Sequence, residues 1–276
     1  MSDRSDKRAP APTRRAWLAA AGLAGLAQGA GLAGCATPPT ADEPPHSDEP
    51  AGTPPATRVL PFSAALPGAA PAGWHSYAMR RDLKRTRYAV VRDGAHNVLH
   101  ARAAASATGL RCTVMIDPAQ SGQLQFSWRV RNVPRQADVA VAEHDDCPAR
   151  LVLAFGGDEA RLPLRDRLFF EQVELFTGQR LPFATLMYVW DGGRHAIESV
   201  HRNHRSARIQ YLTVESGAQR AGHWLRYQRD VVADYRRVFG EAPGPIIGVG
   251  VLTDADALKG EMEAWYGDIT LSALTA

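Results

Sequence analysis

The stretch Gln123-Leu124-Gln125-Phe126-Ser127-Trp128-Arg129-Val130 decides the fold. Leu124, Phe126, Trp128 and Val130 alternate with Gln123, Gln125, Ser127 and Arg129. Successive side chains of an extended chain point to opposite faces, so this is a strand with one dry and one wet face. Similar runs lie on both sides of it, at 86–91, 97–101, 110–116, 149–155, 185–190, 208–214, 246–252 and 265–271. Asp93-Gly94, Asp117-Pro118, Ser121-Gly122, Asp191-Gly192-Gly193 and Ser216-Gly217 separate them as turns. About nine strands, little helix and no βαβ rhythm predict an all-β domain, a β-sandwich or jelly roll with one or two short helices.

One helix is read from Val231, Tyr235, Val238 and Phe239, which fall at i, i+4, i+7 and i+8. Asp230 caps its start, Gly240 ends it and Pro243 follows. A second candidate covers 168–176, with Phe169, Val173 and Phe176 on one face. Both are expected on the edge of the sandwich. Cys112 and Cys147 stand either as a disulfide between two strands or as two small buried thiols.

The N-terminus has a different character. Met1 to Arg15 is polar and basic, 16–33 is apolar and rich in Ala, Gly and Leu, and Leu32-Ala33-Gly34-Cys35 follows at once. That order predicts a signal peptide over 1–34. The apolar stretch is short, Gly-rich and contains Gln28, unlike a transmembrane anchor. Thr13-Arg14-Arg15-Ala16-Trp17-Leu18 resembles a twin-arginine export signal, and Leu-Ala-Gly-Cys resembles a bacterial lipobox. The resemblance implies that Cys35 is acylated, palmitate included, and becomes the mature N-terminus. Several acyl chains hold a protein on a membrane stably where one binds only marginally. The expected partner is therefore the lipid membrane, and the expected location the cell envelope, facing the periplasm. Ala36 rather than Asp after the cysteine makes the outer membrane the default.

Residues 36–71 are rich in Pro, with Phe62 as their only aromatic. Such a segment buries too little apolar area to offset its conformational entropy, so 35–71 is read as the lipidated cysteine and an extended linker. The folded domain is expected over 72–276. The chain carries 32 Lys and Arg against 29 Asp and Glu, a net charge of +3. The leader holds five of the basic residues and two of the acidic ones, so the remainder is balanced. A nucleic-acid partner held by bulk phosphate attraction is excluded on that ground.

Several stretches of the domain occur in a set order. They are His144-Asp145-Asp146-Cys147-Pro148-Ala149-Arg150-Leu151-Val152, then Tyr188-Val189-Trp190 followed by 209–217. Next come Arg229-Asp230-Val231-Val232-Ala233-Asp234-Tyr235-Arg236-Arg237-Val238-Phe239-Gly240, Thr253-Asp254-Ala255-Asp256 and Tyr266-Gly267-Asp268-Ile269. Together they resemble a bacterial family catalogued as a domain of unknown function, from Gly73 to the C-terminus. Where that family carries Asn-Thr after the second Asp of Thr-Asp-x-Asp, this chain has Ala257-Leu258. The end of the chain also looks like the closing strand of galactose-binding-like jelly rolls. A sugar ligand is expected from that analogy.

Asp145 and Asp146, in the loop before Pro148, are candidates for coordinating a sugar or calcium, with Arg150 beside them. The competing reading is turn-forming Asp, or a salt bridge to Arg150. Asp254 and Asp256 share a loop edge and Asp268 interrupts the last strand. These three are the candidate metal ligands, for a structural calcium, with ion pairing to Arg as the competitor. Trp224 and Tyr266 are the candidate exposed rings for sugar stacking, while Trp128 reads as core from its phase. Arg229, Asp230, Asp234, Arg236 and Arg237 read as capping plus ion pairs. His195, His201 and His204 read as a polar loop rather than a zinc site, because Arg202, Arg205 and Arg208 would repel a cation. No G-x-S-x-G elbow, C-x-x-C or phosphate-cradling Gly loop is present, and no catalytic residue is assigned.

The first expectation is thus an envelope-anchored lipoprotein whose β-sandwich binds carbohydrate or another envelope ligand without catalysis. A glycan hydrolase using Asp145 or Asp146 with Asp254 or Asp256 is the second. A structural or assembly lipoprotein is the third.

Overall fold

Strands with one buried and one exposed face, together with strands buried along nearly their whole length, build two facing sheets. The computed structural model describes residues 53–78, 83–177 and 180–274. The leader, Cys35 and the start of the Pro-rich segment lie outside those residues. Strands β1 to β5 span Trp74–Tyr77, Arg87–Asp93, His96–Ala104, Ala107–Ile116 and Gln123–Val130. Strand β6 (Cys147–Phe155) precedes helix α1 (Leu164–Thr177). Strands β7 to β10 span Ala184–Asp191, Val200–Arg202, Ile209–Ser216 and Leu225–Asp230. Helix α2 (Val231–Phe239) and strands β11 (Ile246–Asp254), β12 (Glu261–Tyr266) and β13 (Thr270–Ser272) complete the order.

Seven strands form one sheet in the order β1-β4-β11-β6-β7-β9-β8. The other sheet runs β10-β5-β12-β3-β2, with β13 also paired to β5. Strands β7 and β9 are parallel, so both end at the same edge of the sandwich. Strand β6 runs antiparallel to β7 and to β11, which brings the start of β6 beside the ends of β7 and β11. The end of β5 contributes the loop that leads to β6. Four loops, those after β5, β7, β9 and β11, therefore meet at one end of the sandwich, and that end holds the groups described below.

Strand β5 does what its alternation predicts. Trp128 is fully buried and meets Trp190 of the facing sheet at 6.3 Å between ring centroids, while Phe126 meets Tyr188 at 5.9 Å. Aromatic rings in that range supply much of the contact between the two sheets. Helix α2 begins and ends where the sequence places it: the Asp230 carboxylate accepts from the Ala233 N–H at 3.0 Å, and the Gly240 N–H donates to the Arg236 carbonyl. Helix α1 is longer than the 168–176 reading. The described residues contain no helix long and apolar enough to cross a membrane.

The linker reading needs revision at its end. Phe62 is fully buried and lies 4.5 Å from the Trp74 ring, and Val59 is buried with it. Ala56 exchanges backbone hydrogen bonds with Thr113 and Met115 on β4. One large ring among prolines is enough to fasten the chain when a matching ring waits on β1. Cys112 and Cys147 are both buried thiols, with no disulfide between them. Burial pushes the Cys147 thiol up to about 12, so it is chemically quiet.

Candidate functional site

The sequence places acids in two loops, and the topology brings those loops together. Asp145 and Asp146 lead into β6, and Asp254 and Asp256 leave β11, which pairs with β6 through Asp254 and Cys147. Arg150, the fourth residue of β6, lies among them and is 2% exposed. Its guanidinium donates to both Asp254 oxygens at 2.8 and 3.2 Å. It also donates to the Asp145 carboxylate at 3.0 Å and the Asp145 carbonyl at 2.9 Å. The second Asp145 oxygen accepts from the Tyr211 hydroxyl at 3.1 Å. Asp146 takes the backbone N–H of Ala257 and of Leu258, one on each oxygen. The carboxylate therefore holds the turn after β11 by its backbone, and the side chains at 257 and 258 have no part in that contact.

One guanidinium serves several acids, and this sets their protonation. Burial raises Asp254 to about 7 although Arg150 pulls it down, because Asp145, Asp146 and Asp256 all crowd it. Burial likewise raises Asp145 against the pull of Arg150. Arg150 is itself desolvated, yet its two acids hold its proton well above the usual range. Asp146, Asp254 and Asp256 can bring one oxygen each within 4.8 Å of one another, a spacing that suits a cation. Two of the three are already engaged, and Arg150 occupies the place of the counter-charge.

The remaining candidates lie elsewhere. Asp268 accepts from the Ser63 N–H and hydroxyl, fastening the segment that carries Phe62 rather than joining the acids of β11. Tyr266 is 2% exposed, and its hydroxyl bonds Thr253 at 2.7 Å and the Leu252 carbonyl at 3.0 Å. It is no stacking platform. Trp224 is half-buried, donates to Asp93 at 2.6 Å and has Arg129 over its ring at 5.3 Å. Arg129 lies 4.3 Å from the Trp265 ring on its other side, and His100 stacks on Trp265 at 4.8 Å. His100, Trp265, Arg129 and Trp224 thus form a ladder of flat groups across four chain segments, at about the strand repeat of ~4.8 Å. Its members use their faces on one another.

The charged string around α2 is a second satisfied network. Arg229 reaches Asp234 at 2.7 Å and Glu198 at 2.6 Å, Arg237 also binds Glu198, and the Tyr188 hydroxyl donates to Asp234 at 2.9 Å. Hydrogen bonds from Arg229 hold Glu198 below the usual carboxylate range. Among the histidines, His195 pairs with Asp138 at 2.7 Å, His201 bonds Ser199 at 2.9 Å, and His204 accepts from Arg205. Asp146, Asp254 and Asp256 are the one metal-compatible group among the described residues.

The sequence reading missed a depression at the same end of the sandwich. It has a volume of about 680 Å³ and is lined by Val133, Arg135, Gly192, Gly193, Arg194, Gly217, Ala218 and Gln219. Its three loops are locked together. A Cβ on Gly192 would lie 2.1 Å from the Ala137 carbonyl oxygen, so only glycine lets these two loops touch. The buried Asp191 carboxylate accepts the N–H groups of Gly193, Arg194 and His195 on one oxygen, at 2.8 to 3.0 Å. Gly217 donates its N–H to the Asp191 carbonyl, and its carbonyl accepts from the Trp190 indole. The depression is therefore preformed.

The family model for DUF3047, described as a protein of unknown function, matches residues 72–270. The chain belongs to the DUF3047 family. No curated protein matches it. Among solved structures it is similar to a cleaved adhesin domain of Lys-gingipain from Porphyromonas gingivalis, with 11% identity and a TM-score of 0.34, covering 78% of this chain and 96% of that one. It is similar to a variant of CBM29-2, a family 29 carbohydrate binding module, with 11% identity, a TM-score of 0.33 and 79% and 92% coverage. It is also similar to the xyloglucanase domain of NopAA, a type three effector from Sinorhizobium fredii, in complex with cellobiose. There the identity is 6%, the TM-score 0.40, and the coverage 75% and 95%.

Proposed function

We propose that this DUF3047 chain is a non-catalytic carbohydrate-binding module, anchored at the cell envelope through acylated Cys35. The observation that carries the binding part is the preformed depression, whose lining offers guanidinium, amide and backbone groups to hydroxyls. Its volume lies within the ~300–1,000 Å³ of small-molecule sites. The hydrolase reading loses ground on the acids. A glycosidase needs two carboxyl groups flanking a sugar bond, free to exchange protons with it. Here Asp145 and Asp254 are held by Arg150, and Asp146 by two backbone N–H groups. The anchor rests on the order of basic region, apolar region and Leu-Ala-Gly-Cys.

A glycan array probed with the mature protein, followed by product analysis on each binder, tests the reading. Binding without turnover is expected. Turnover that Asp146→Asn abolishes would replace it with the hydrolase, and silence across the array would leave a structural envelope role. Palmitate labelling of the expressed precursor is expected to vanish with Cys35→Ala.

A further inference from the structure

The lining of the depression contains two arginines and no acid. Arg194 donates its Nε to the Arg135 carbonyl at 3.2 Å, which sets the two side chains on neighbouring loops. Neither guanidinium forms an ion pair among the described residues, although Arg194 lies near enough to Asp138 to help His195 hold that carboxyl below its ordinary range. Both residues are exposed.

The acids nearby are spoken for. Glu215 is paired with Arg220 at 2.9 Å and accepts from the Tyr227 hydroxyl. Asp138 is paired with His195. Asp191 is wholly buried, and one of its oxygens gathers three loop N–H groups and the Ser216 hydroxyl. The charged groups that line the depression are thus both positive. Elsewhere in the domain, Arg150, Arg220, Arg229 and Arg237 all face carboxylates. Arg135 and Arg194 form no such ion pair among the described residues.

We propose that the depression takes a saccharide bearing a negative charge, a uronate or a phosphorylated sugar, an inference that rests on the carbohydrate-binding reading. A planar guanidinium matches a carboxylate or phosphate through two parallel hydrogen bonds, stronger than its bonds to neutral hydroxyls. The cavity of about 680 Å³ is far larger than a lone oxyanion needs, so room remains for the sugar ring that carries the acid. Gln219 and the glycine backbones face that remaining space with groups suited to hydroxyls.

Titration calorimetry on the mature protein decides the matter. The probes are a galacturonate trisaccharide, the neutral galactose trisaccharide and a mannose oligosaccharide carrying phosphate. Each is measured in low and in physiological salt, with wild type, Arg135→Gln and Arg194→Gln. Both substitutions are at exposed positions, and a melting curve for each variant confirms folding. The charged sugars are expected to bind at least about tenfold tighter than the neutral one, to weaken with salt, and to lose about tenfold with each substitution. The uronate and phosphate arms identify which acid is preferred. Equal binding of neutral and charged sugars, untouched by either substitution, overturns the inference and leaves the carbohydrate-binding reading standing. No binding by any of the three overturns that reading, and the inference with it.

Discussion

Replacing Arg150 by Ala tests whether the clamp at the start of β6 carries the loop end of the sandwich. The substitution removes four hydrogen bonds and leaves buried Asp254 and half-buried Asp145 next to Asp146 with no cation. Deleting one partner of a buried ion pair costs about 3–5 kcal/mol, because the remaining charge stays desolvated. In a domain of this size each kcal/mol shifts the melting temperature by roughly 2–4 °C, so a fall of about 6–20 °C is expected. The loss must also depend on pH in a stated direction. Asp254 sits at about 7 in the folded protein, above its unfolded value, so the native state binds the extra proton. Stability from this group is present at low pH and is lost as pH rises through about 7. Arg150 is what pulls Asp254 down, so without it the window moves further up. Urea denaturation of wild type and variant at about pH 8 and about pH 5.5, followed by tryptophan fluorescence, reads this directly. The variant is expected to lose clearly more at the higher pH, and adding Asp254→Asn is expected to return part of the loss there. A loss below about 1 kcal/mol would refute the reasoning, as would one equal at both pH values and unaffected by Asp254→Asn.

Gly192→Ala sets a Cβ 2.1 Å from the Ala137 carbonyl oxygen and 2.9 Å from that of Pro134, both backbone atoms that cannot swing aside. A cost of about 1–3 kcal/mol and at least tenfold weaker saccharide binding are expected, measured by melting and calorimetry; unchanged binding would mean that the locked loops are irrelevant to it. Calcium at millimolar concentration is expected to move the melting temperature by less than about 1 °C, since Arg150 and backbone donors already serve Asp254 and Asp146, two of the three acids. An ion bound at a hundred times its dissociation constant would add about 2.7 kcal/mol, a shift of several degrees that no scatter could hide.

The sheets were legible in the sequence wherever a strand has one wet face and one dry face for several residues. Strand β5 matches its reading at both ends, and helix α2 matches its caps. Strands β1 and β8 were not read, because four and three residues give too few alternations to stand out. Strand β10 was hidden by charge, its Arg229-Asp230 end looking only like the approach to α2. The 265–271 run breaks at Gly267, so β12 and β13 are separate. Tyr266 was legible and misread. Met262, Ala264 and Tyr266 share a parity in β12 and point inward, which sends Trp265 outward with Glu261 and Glu263.

The acids and the depression differ in what a linear pattern can hold. Asp145, Asp146, Arg150, Asp254 and Asp256 are chemically conspicuous, so residue type alone finds them. Their partners are what decide their role, and those partners come from pairing β6 with β11. The depression has no conspicuous residue at all. Gly192, Gly193 and Gly217 read as ordinary turns, and Arg135 and Arg194 belong to no motif that a sequence reading picks out. Their meaning arises because β7 and β9 run parallel and so end side by side, a relation between strands with β8 between them in sequence. Charge found in a motif here is mostly charge already neutralised, and the charge left over sits on turns. Burial explains the difference: a desolvated acid must find a cation within the fold, whereas an exposed arginine is tolerated without one.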